Sequence, residues 1–265
     1  MSTGMSTGTA TAPYRLTSRR ILRSEWHKLW TLRSTWIMLG LASVFTVVLG
    51  MILGATYTPD AGEEIDPVTY ALLGTQVGQV AIAVFGILIT AGEYATGMVR
   101  ATMAAVPRRL PVLRAKTAVF GTIALAILLV TNFLTFPLAQ LFLDGTDLEA
   151  SLGDPGIVRA LAGSAAGTTL IGVIVLGLGS ALRSVPGAIG AYIGGLILLP
   201  QLATMIPDDT VRDALNYFPL PAAESLAALH TSSDDLSPGA GLLTLCVWAV
   251  ASLAVAAYLL KRRDV

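Results

Sequence analysis

Three observations predict an all-α membrane protein with six transmembrane helices. Apolar residues make up 54% of the 265-residue chain and charged residues only 13%, about half the charged share of an ordinary soluble domain. An exterior that is also largely apolar calls for lipid as its solvent. Six stretches are long and apolar enough to cross a bilayer core of about 30 Å as helices rising about 1.5 Å per residue. The charges, finally, separate cleanly when the connections between those stretches are taken alternately.

The first fourteen residues, MSTGMSTGTATAPY, are small and polar and contain MSTG twice, the composition of a disordered tail. A signal peptide is not expected here, because the first long apolar run starts only at Trp36 and exceeds a signal core. Residues 15–35 are expected to form an interfacial amphipathic helix. Leu22, Trp26, Leu29, Trp30 and Leu32 recur at helical spacing, while Arg19, Arg20, Arg23, Lys28 and Arg33 mostly take the other face. A basic helix with tryptophans on its apolar side lies in the membrane interface, in contact with lipid. The same surface is also suited to docking a soluble partner. Glu25 stands three residues before Lys28, and a local ion pair is its expected role.

Residues 36–265 make up the six-span domain, with spans at about 36–56, 70–90, 117–142, 161–182, 187–206 and 242–260. These runs are continuous, whereas the strands of a membrane barrel alternate. No Asp, Glu, Lys, Arg or His falls in the middle of a span. Ion-coupled pumps usually carry such groups at membrane depth, so any energy source is expected to act from elsewhere. The polar residues within the spans are neutral. Gln76, Gln79, Thr131, Asn132 and Thr135 are the pathway candidates, with hydrogen bonding between helices as their competing role. Small-residue spacing of the GxxxG kind occurs at Gly50/Gly54, Gly74/Gly78, Gly163/Gly167 and Gly190/Gly194. Close packing within one subunit is the expected use.

One cysteine and two well-separated histidines allow neither an internal disulfide nor a His/Cys metal site. No catalytic set is apparent. Membrane proteases and lipid transferases need paired acid, base or nucleophile groups near membrane depth. An intramembrane enzyme is therefore the weakest of the functional readings. No nucleic-acid partner is expected.

The stretch from Gly92 to Lys116, GEYATGMVRATMAAVPRRLPVLRAK, is the most distinctive in the chain. Thr96 can N-cap a short helix that Pro107 ends near Val106. Val99, Met103 and Val106 share one stripe, with Met98 beside it and Arg100 projecting elsewhere. Arg108 and Arg109 follow the helix end, where cations suit its dipole, and Pro111 is expected to turn the chain into the third span. Two roles fit equally well. The helix rests on the membrane with its arginines on lipid phosphates, or its adaptable methionine stripe seats in a soluble partner.

The motifs EYATGMVRATMAAVPRR and SEWHKLWTLRST, together with six spans and both termini on one side, resemble the permease subunit of a type-2 ABC transporter, with actinobacterial ABC exporters nearest in character. The resemblance covers nearly the whole chain after the tail. It implies a multi-pass protein of the bacterial plasma membrane that pairs with a second permease copy or homologue and with two ABC ATPase subunits. It implies a cytoplasmic coupling helix at Thr96–Val106 with Glu93 at its root. The expected coupling residues are then Glu93, Thr96, Met98, Val99, Arg100, Met103, Val106, Arg108 and Arg109. An interface helix over Leu16–Arg33 would use Leu22, Arg23, Glu25, Trp26, Lys28 and Trp30, and the turn Arg183–Pro186 would be a smaller second contact. It further implies re-entrant helices between spans five and six. The segment VRDALNYFPLPAAESLAALH fits these, with Pro219–Pro221 as the bend; soluble loop helices fit its pattern equally. The chain has no G-x-x-x-x-G-K-[ST] phosphate loop. ATP and Mg are therefore expected on the partner ATPase, and this chain is expected to be neither an ATPase nor another enzyme. An ATPase-bound membrane sensor or immunity protein that transports nothing is the alternative.

The charge separation sets the expected orientation. One side holds every Lys and Arg except Arg159 and Arg212, and the other holds every Asp and Glu except Glu25, Glu93 and Asp264. By the positive-inside rule the basic side, with both termini, is cytoplasmic. A cysteine introduced at Glu63, in a chain whose Cys246 is replaced, is expected to react with an impermeant maleimide in intact cells; labelling only after lysis would reverse the orientation.

Overall fold

The computed structural model describes residues 17–58, 66–99, 109–229 and 236–262, and all regular structure among them is helical. In chain order the helices are α1 (Ser18–Thr31), α2 (Arg33–Thr56), α3 (Pro67–Ala71), α4 (Thr75–Leu88), α5 (Ala91–Ala95), α6 (Arg109–Leu143) and α7 (Ile157–Leu182). They continue with α8 (Val185–Ala203), α9 (Asp209–Asn216), α10 (Pro219–Ala227) and α11 (Pro238–Arg262). Five of them, α2, α6, α7, α8 and α11, are long and apolar enough to cross a membrane. The segment expected to form the second span is instead divided into short helices. Its apolar helix α4 has only 14 residues, about 21 Å of rise, with α3 before it and α5 after it.

The break before α4 has a steric cause. A Cβ on Gly74 would stand 2.7 Å from the Thr46 carbonyl oxygen and 2.8 Å from that of Phe45. The chain is pressed against the backbone of α2 just where the turn residues Leu72–Gly74 interrupt the helix. Asp66 starts α3 by accepting from the Val68 and Thr69 N–H groups at 2.8 and 3.1 Å, with Pro67 in the first turn, where its missing donor is not needed.

Two expected proline breaks are helix starts. Pro111 lies in the first turn of α6, which runs unbroken for 35 residues, so the chain enters the third span as one helix without turning at Pro111. Pro219 and Pro221 likewise lie in the first turn of α10, and the bend falls earlier, at Tyr217–Phe218. A proline costs a helix little there because the first N–H groups have no intrahelical acceptor.

Helix α7 is the axis of the molecule. It packs against α4, α6, α10 and α11, and nearly every residue from Leu161 to Ala181 is buried or half-buried. Its glycines admit the neighbours: a Cβ on Gly172 would meet the Phe120 ring at 2.6 Å, and one on Gly163 would meet the Leu226 carbonyl oxygen at 2.1 Å. Gly50/Gly54, Gly74/Gly78 and Gly163/Gly167 all serve contacts within the chain, whereas Gly190 and Gly194 have nothing within 4 Å of a built Cβ. The outward faces of α2, α8 and α11 carry Ile37, Val44, Val48, Leu198, Leu202, Leu243, Val247 and Val250, all exposed, as lipid contact requires. Helix α8 passes through a π-helical stretch at Tyr192–Leu198 that turns Tyr192 into the core; such bulges often mark functional positions.

Gly163→Leu is expected to destabilise the detergent-solubilised protein by several kcal/mol, since it meets backbone that has no free space. Gly121→Ala, with nothing within 4 Å, should leave the melting temperature unchanged or slightly raised. Thermal unfolding of the two variants checks the contrast.

Candidate functional site

At the end of the bundle where the basic residues gather, four charged side chains from three helices converge. Helix α1 presents Ile21, Glu25 and Leu29 inward, at four-residue spacing. Ile21 packs on Val112 and Ala115 of α6, which brings Glu25 against the same helix. Lys116 of α6 donates to Glu25 Oε2 at 2.8 Å and to Glu93 Oε1 of α5 at 2.7 Å. Lys28 of α1 also pairs with Glu93 Oε1. Lys116 and Glu25 are each 4% exposed and Glu93 8%, so this is an interior cluster. Its two acids and two bases balance, which is what allows charge to be buried at all.

Glu25 therefore does not pair with Lys28, three residues on. Its partner is Lys116, 91 positions away, because the stripe that carries Glu25 faces the protein while Lys28 reaches across to α5. The outward stripe of α1 holds Leu22, Trp26 and Trp30, each about two-fifths exposed or more. Trp26 stacks on Trp30 with centroids 6.0 Å apart, Trp30 meets Trp36 edge-on at 4.7 Å, and Trp36 Nε1 donates to the Trp30 carbonyl. This stacked, exposed indole row has the character of a membrane-interface anchor. Arg23 is exposed beside it and donates to His27.

Helix α5 is held from its other side as well. The Arg183 guanidinium lies 5.0 Å from the centroid of the Tyr94 ring. Arg183 caps α7 in the left-handed region at φ 57°, a conformation that costs a non-glycine residue about 1 kcal/mol or more. The turn expected to form a smaller cytoplasmic contact thus reaches the same short helix as the ion cluster. Thr90, between α4 and α5, directs its hydroxyl back to the Gly86 and Ile87 carbonyls of α4 and across to the Leu176 carbonyl of α7 at 3.3 Å.

The helix expected after Thr96 lies almost wholly outside the described residues. The Thr96 hydroxyl donates back to the Gly92 carbonyl at 3.0 Å and closes α5, and Gly97 then takes φ 72°. Beyond it Met98 is exposed and Val99 buried. Arg100, Met103, Val106 and Arg108 lie outside the described residues. Arg109 is the first residue of α6.

The pathway candidates divide into two groups. Thr131, Asn132 and Thr135 are buried on α6 and hydrogen-bond within the bundle: Thr131 with Ser43 at 2.8 Å, the Asn132 amide to the Leu161 carbonyl at 3.2 Å, and Thr135 to the Thr131 carbonyl, while Asn132 Oδ1 has no partner among the described residues. Gln76 and Gln79 instead line a cavity of about 530 Å³ between α3, α4, α7, α8 and α10. Gln79 Nε2 reaches the Tyr192 hydroxyl at 3.5 Å, and Ser164, Thr168, Gln201, Asn216 and Glu224 complete the polar wall. Its volume lies within the range of small-molecule sites, about 300–1,000 Å³. The Glu224 side chain is exposed on this wall, and the protein atoms packed around it raise its carboxyl above the ordinary value. Nearby, Asp208 caps α9, and hydrogen bonds from Thr210 and from the Val211 N–H hold its carboxyl below the ordinary range.

Two features went unread in the sequence. Glu25 and Glu93 were visible as acids on the basic side, and that exception was the available signal for a buried cluster with Lys116. Nothing local marked Tyr192 or Glu224 as sharing a wall with Gln79. Comparison with protein-family models and with curated proteins finds no match.

Lys116→Met leaves Glu25 buried without its partner, which typically costs about 3–5 kcal/mol. The melting temperature is expected to fall sharply. Restoring neutrality with Glu25→Gln in the same chain should recover part of the loss, a non-additivity that a double-mutant cycle measures; strict additivity would separate the two residues.

Proposed function

We propose that this chain is the membrane-spanning permease subunit of an ATP-driven exporter of the type-2 ABC kind, working as a dimer beside two separate ATPase subunits in the bacterial plasma membrane. The basic end of the bundle, with both termini, faces the cytoplasm. ATP and Mg belong to the partner, since the chain has no phosphate loop of its own.

The observation that carries this reading is the grip on α5. The segment that follows α5 is the one whose motif, EYATGMVRATMAAVPRR, resembles a coupling helix. A partner that pulls on it pulls on α5, and α5 is fastened to α1 and α6 through Glu93 and to the end of α7 through Tyr94 and Arg183. A loop that merely rests on lipid needs no such attachment. Force applied there is delivered to the spans, as domain closure on a neighbouring subunit requires.

The cavity favours transport over sensing. A protein that only docks an ATPase has no need of a polar-walled space of about 530 Å³ among its helices. In the proposed cycle, closure of the ATPases shifts the equilibrium between arrangements that open this space to one side or the other.

A tagged chain purified from its native membranes is expected to bring down a nucleotide-hydrolysing subunit, and Met98→Arg, at the exposed start of the coupling segment, should cut that recovery about tenfold, the effect of about 1.4 kcal/mol. Failure to recover any such subunit in the presence or absence of ATP would overturn the permease reading.

A further inference from the structure

The cavity wall has a definite charge character. Among the described lining residues the ionisable groups are Glu224 and Tyr192, and there is no Lys or Arg. The Glu224 carboxylate has no hydrogen-bond or ion-pair partner among the described residues. The one arginine that reaches α10, Arg159, is occupied at its C-terminal end, donating to the carbonyls of Leu226 and Ala228 at 3.4 and 2.6 Å. The same cavity is lined by the side chains of Gln76, Gln79 and Gln201 and by Leu72, Leu73, Ile197 and Leu220.

The Glu224 side chain is exposed on the cavity wall, with no neutralising group among the described residues. An entering cation is attracted to it, an anion is repelled, and a neutral apolar molecule gains nothing from its charge. The leucine and isoleucine side chains meanwhile offer surface to an apolar body. We propose that this cavity binds an amphipathic organic monocation, its cationic centre set against Glu224 and its apolar part against Leu72, Leu73, Ile197 and Leu220. The site stands on the geometry of this chain; only its role as a station for exported cargo rests on the permease reading.

The test uses the full chain alone in phosphatidylcholine nanodiscs, without any ATPase. Equilibrium dialysis compares tetraphenylphosphonium with tetraphenylborate, ions of closely similar shape and opposite charge, with empty nanodiscs subtracted. Saturable binding of the cation and none of the borate is expected. Glu224→Gln should weaken the cation about tenfold, as loss of a charged partner does, and Gln76→Trp, which fills the space, should abolish saturable binding. Equal binding of both ions, or unchanged affinity in a Glu224→Gln protein that elutes as the wild type does, would overturn the proposal. Should that variant fail to fold, the comparison of the two ions on the unaltered chain decides alone. Recovery of an ATPase from native membranes is a separate measurement. Its failure leaves the cation site intact, and failure of the cation to bind leaves the permease reading intact.

Discussion

One ammonium group organises the basic end of this molecule. Lys116 sits at the start of the longest helix, out of water, between a carboxylate from α1 and another from α5. Burying these charges is expensive, and the attraction between them repays it only while all are present and in register. The cluster therefore contributes less to net stability than to position. Apolar packing of α1 on α6 through Ile21, Val112 and Ala115 would tolerate a slide or a roll. An ammonium that must meet Glu25 and Glu93 at once tolerates neither. Helix α1, the short helix α5 and the start of α6 are thereby set relative to one another, and the Trp26–Trp30–Trp36 row is held on the opposite side of α1, where a membrane interface can receive it.

The middle of the molecule is arranged by a different principle. With no ionisable side chains to pair, α7 gathers its neighbours by removing side chains. Gly172 admits Phe120 and Gly163 admits the backbone of α10, and close approach of this kind gives dispersion contact that lipid cannot match on the same surface. Where polar groups are buried they are mostly spent on nearby carbonyls, as Thr46, Thr90 and Thr169 are. Thr135 and the Asn132 amide belong with these, and Thr131 pairs with the Ser43 hydroxyl, so their mid-span position is used for packing between helices. Gln76 and Gln79 differ because they line the cavity that α4 shares with α3, α7, α8 and α10.

The all-helical class and the approximate limits of the first, third, fourth, fifth and sixth apolar segments could be read from the chain, because a long apolar run has few other ways to satisfy its backbone. The division of the second segment into α3, α4 and α5 could not. Averaged hydropathy over Tyr70–Thr90 is insensitive to Gly74 being driven against the carbonyls of Thr46 and Phe45, a contact made by another helix. The prolines misled for a related reason: whether Pro111 or Pro219 breaks a helix or begins one depends on where the preceding turn ends, and that is settled by tertiary packing. Glu25 illustrates the general limit. Sequence proximity offered Lys28, but helical geometry places Glu25 on the inward stripe with Ile21 and Leu29, and only the fold says that Lys116 lies opposite.

These arrangements meet in α4. Its far end carries Gln76 and Gln79 into the cavity, and its near end leads through Thr90 to Glu93 in the ion cluster. Fourteen residues, about 21 Å of helix, separate the two. Irregular backbone interrupts the helix at both ends, at Leu72–Gly74 and at Ile89–Thr90, so α4 is a short rod with a joint at each end. It is also tightly held along its length, Gly78 against Ala42 and Thr46 of α2 and Gly86 against the backbone of Gly172 in α7. Close-packed contacts transmit displacement and do not absorb it. In the proposed permease, a shift of α5 imposed from the cytoplasm therefore has a direct mechanical route to the amides of Gln76 and Gln79, and through them to the wall of the cavity. The joints supply the freedom to move, and the glycine contacts keep that movement along the line between the ion cluster and the cavity.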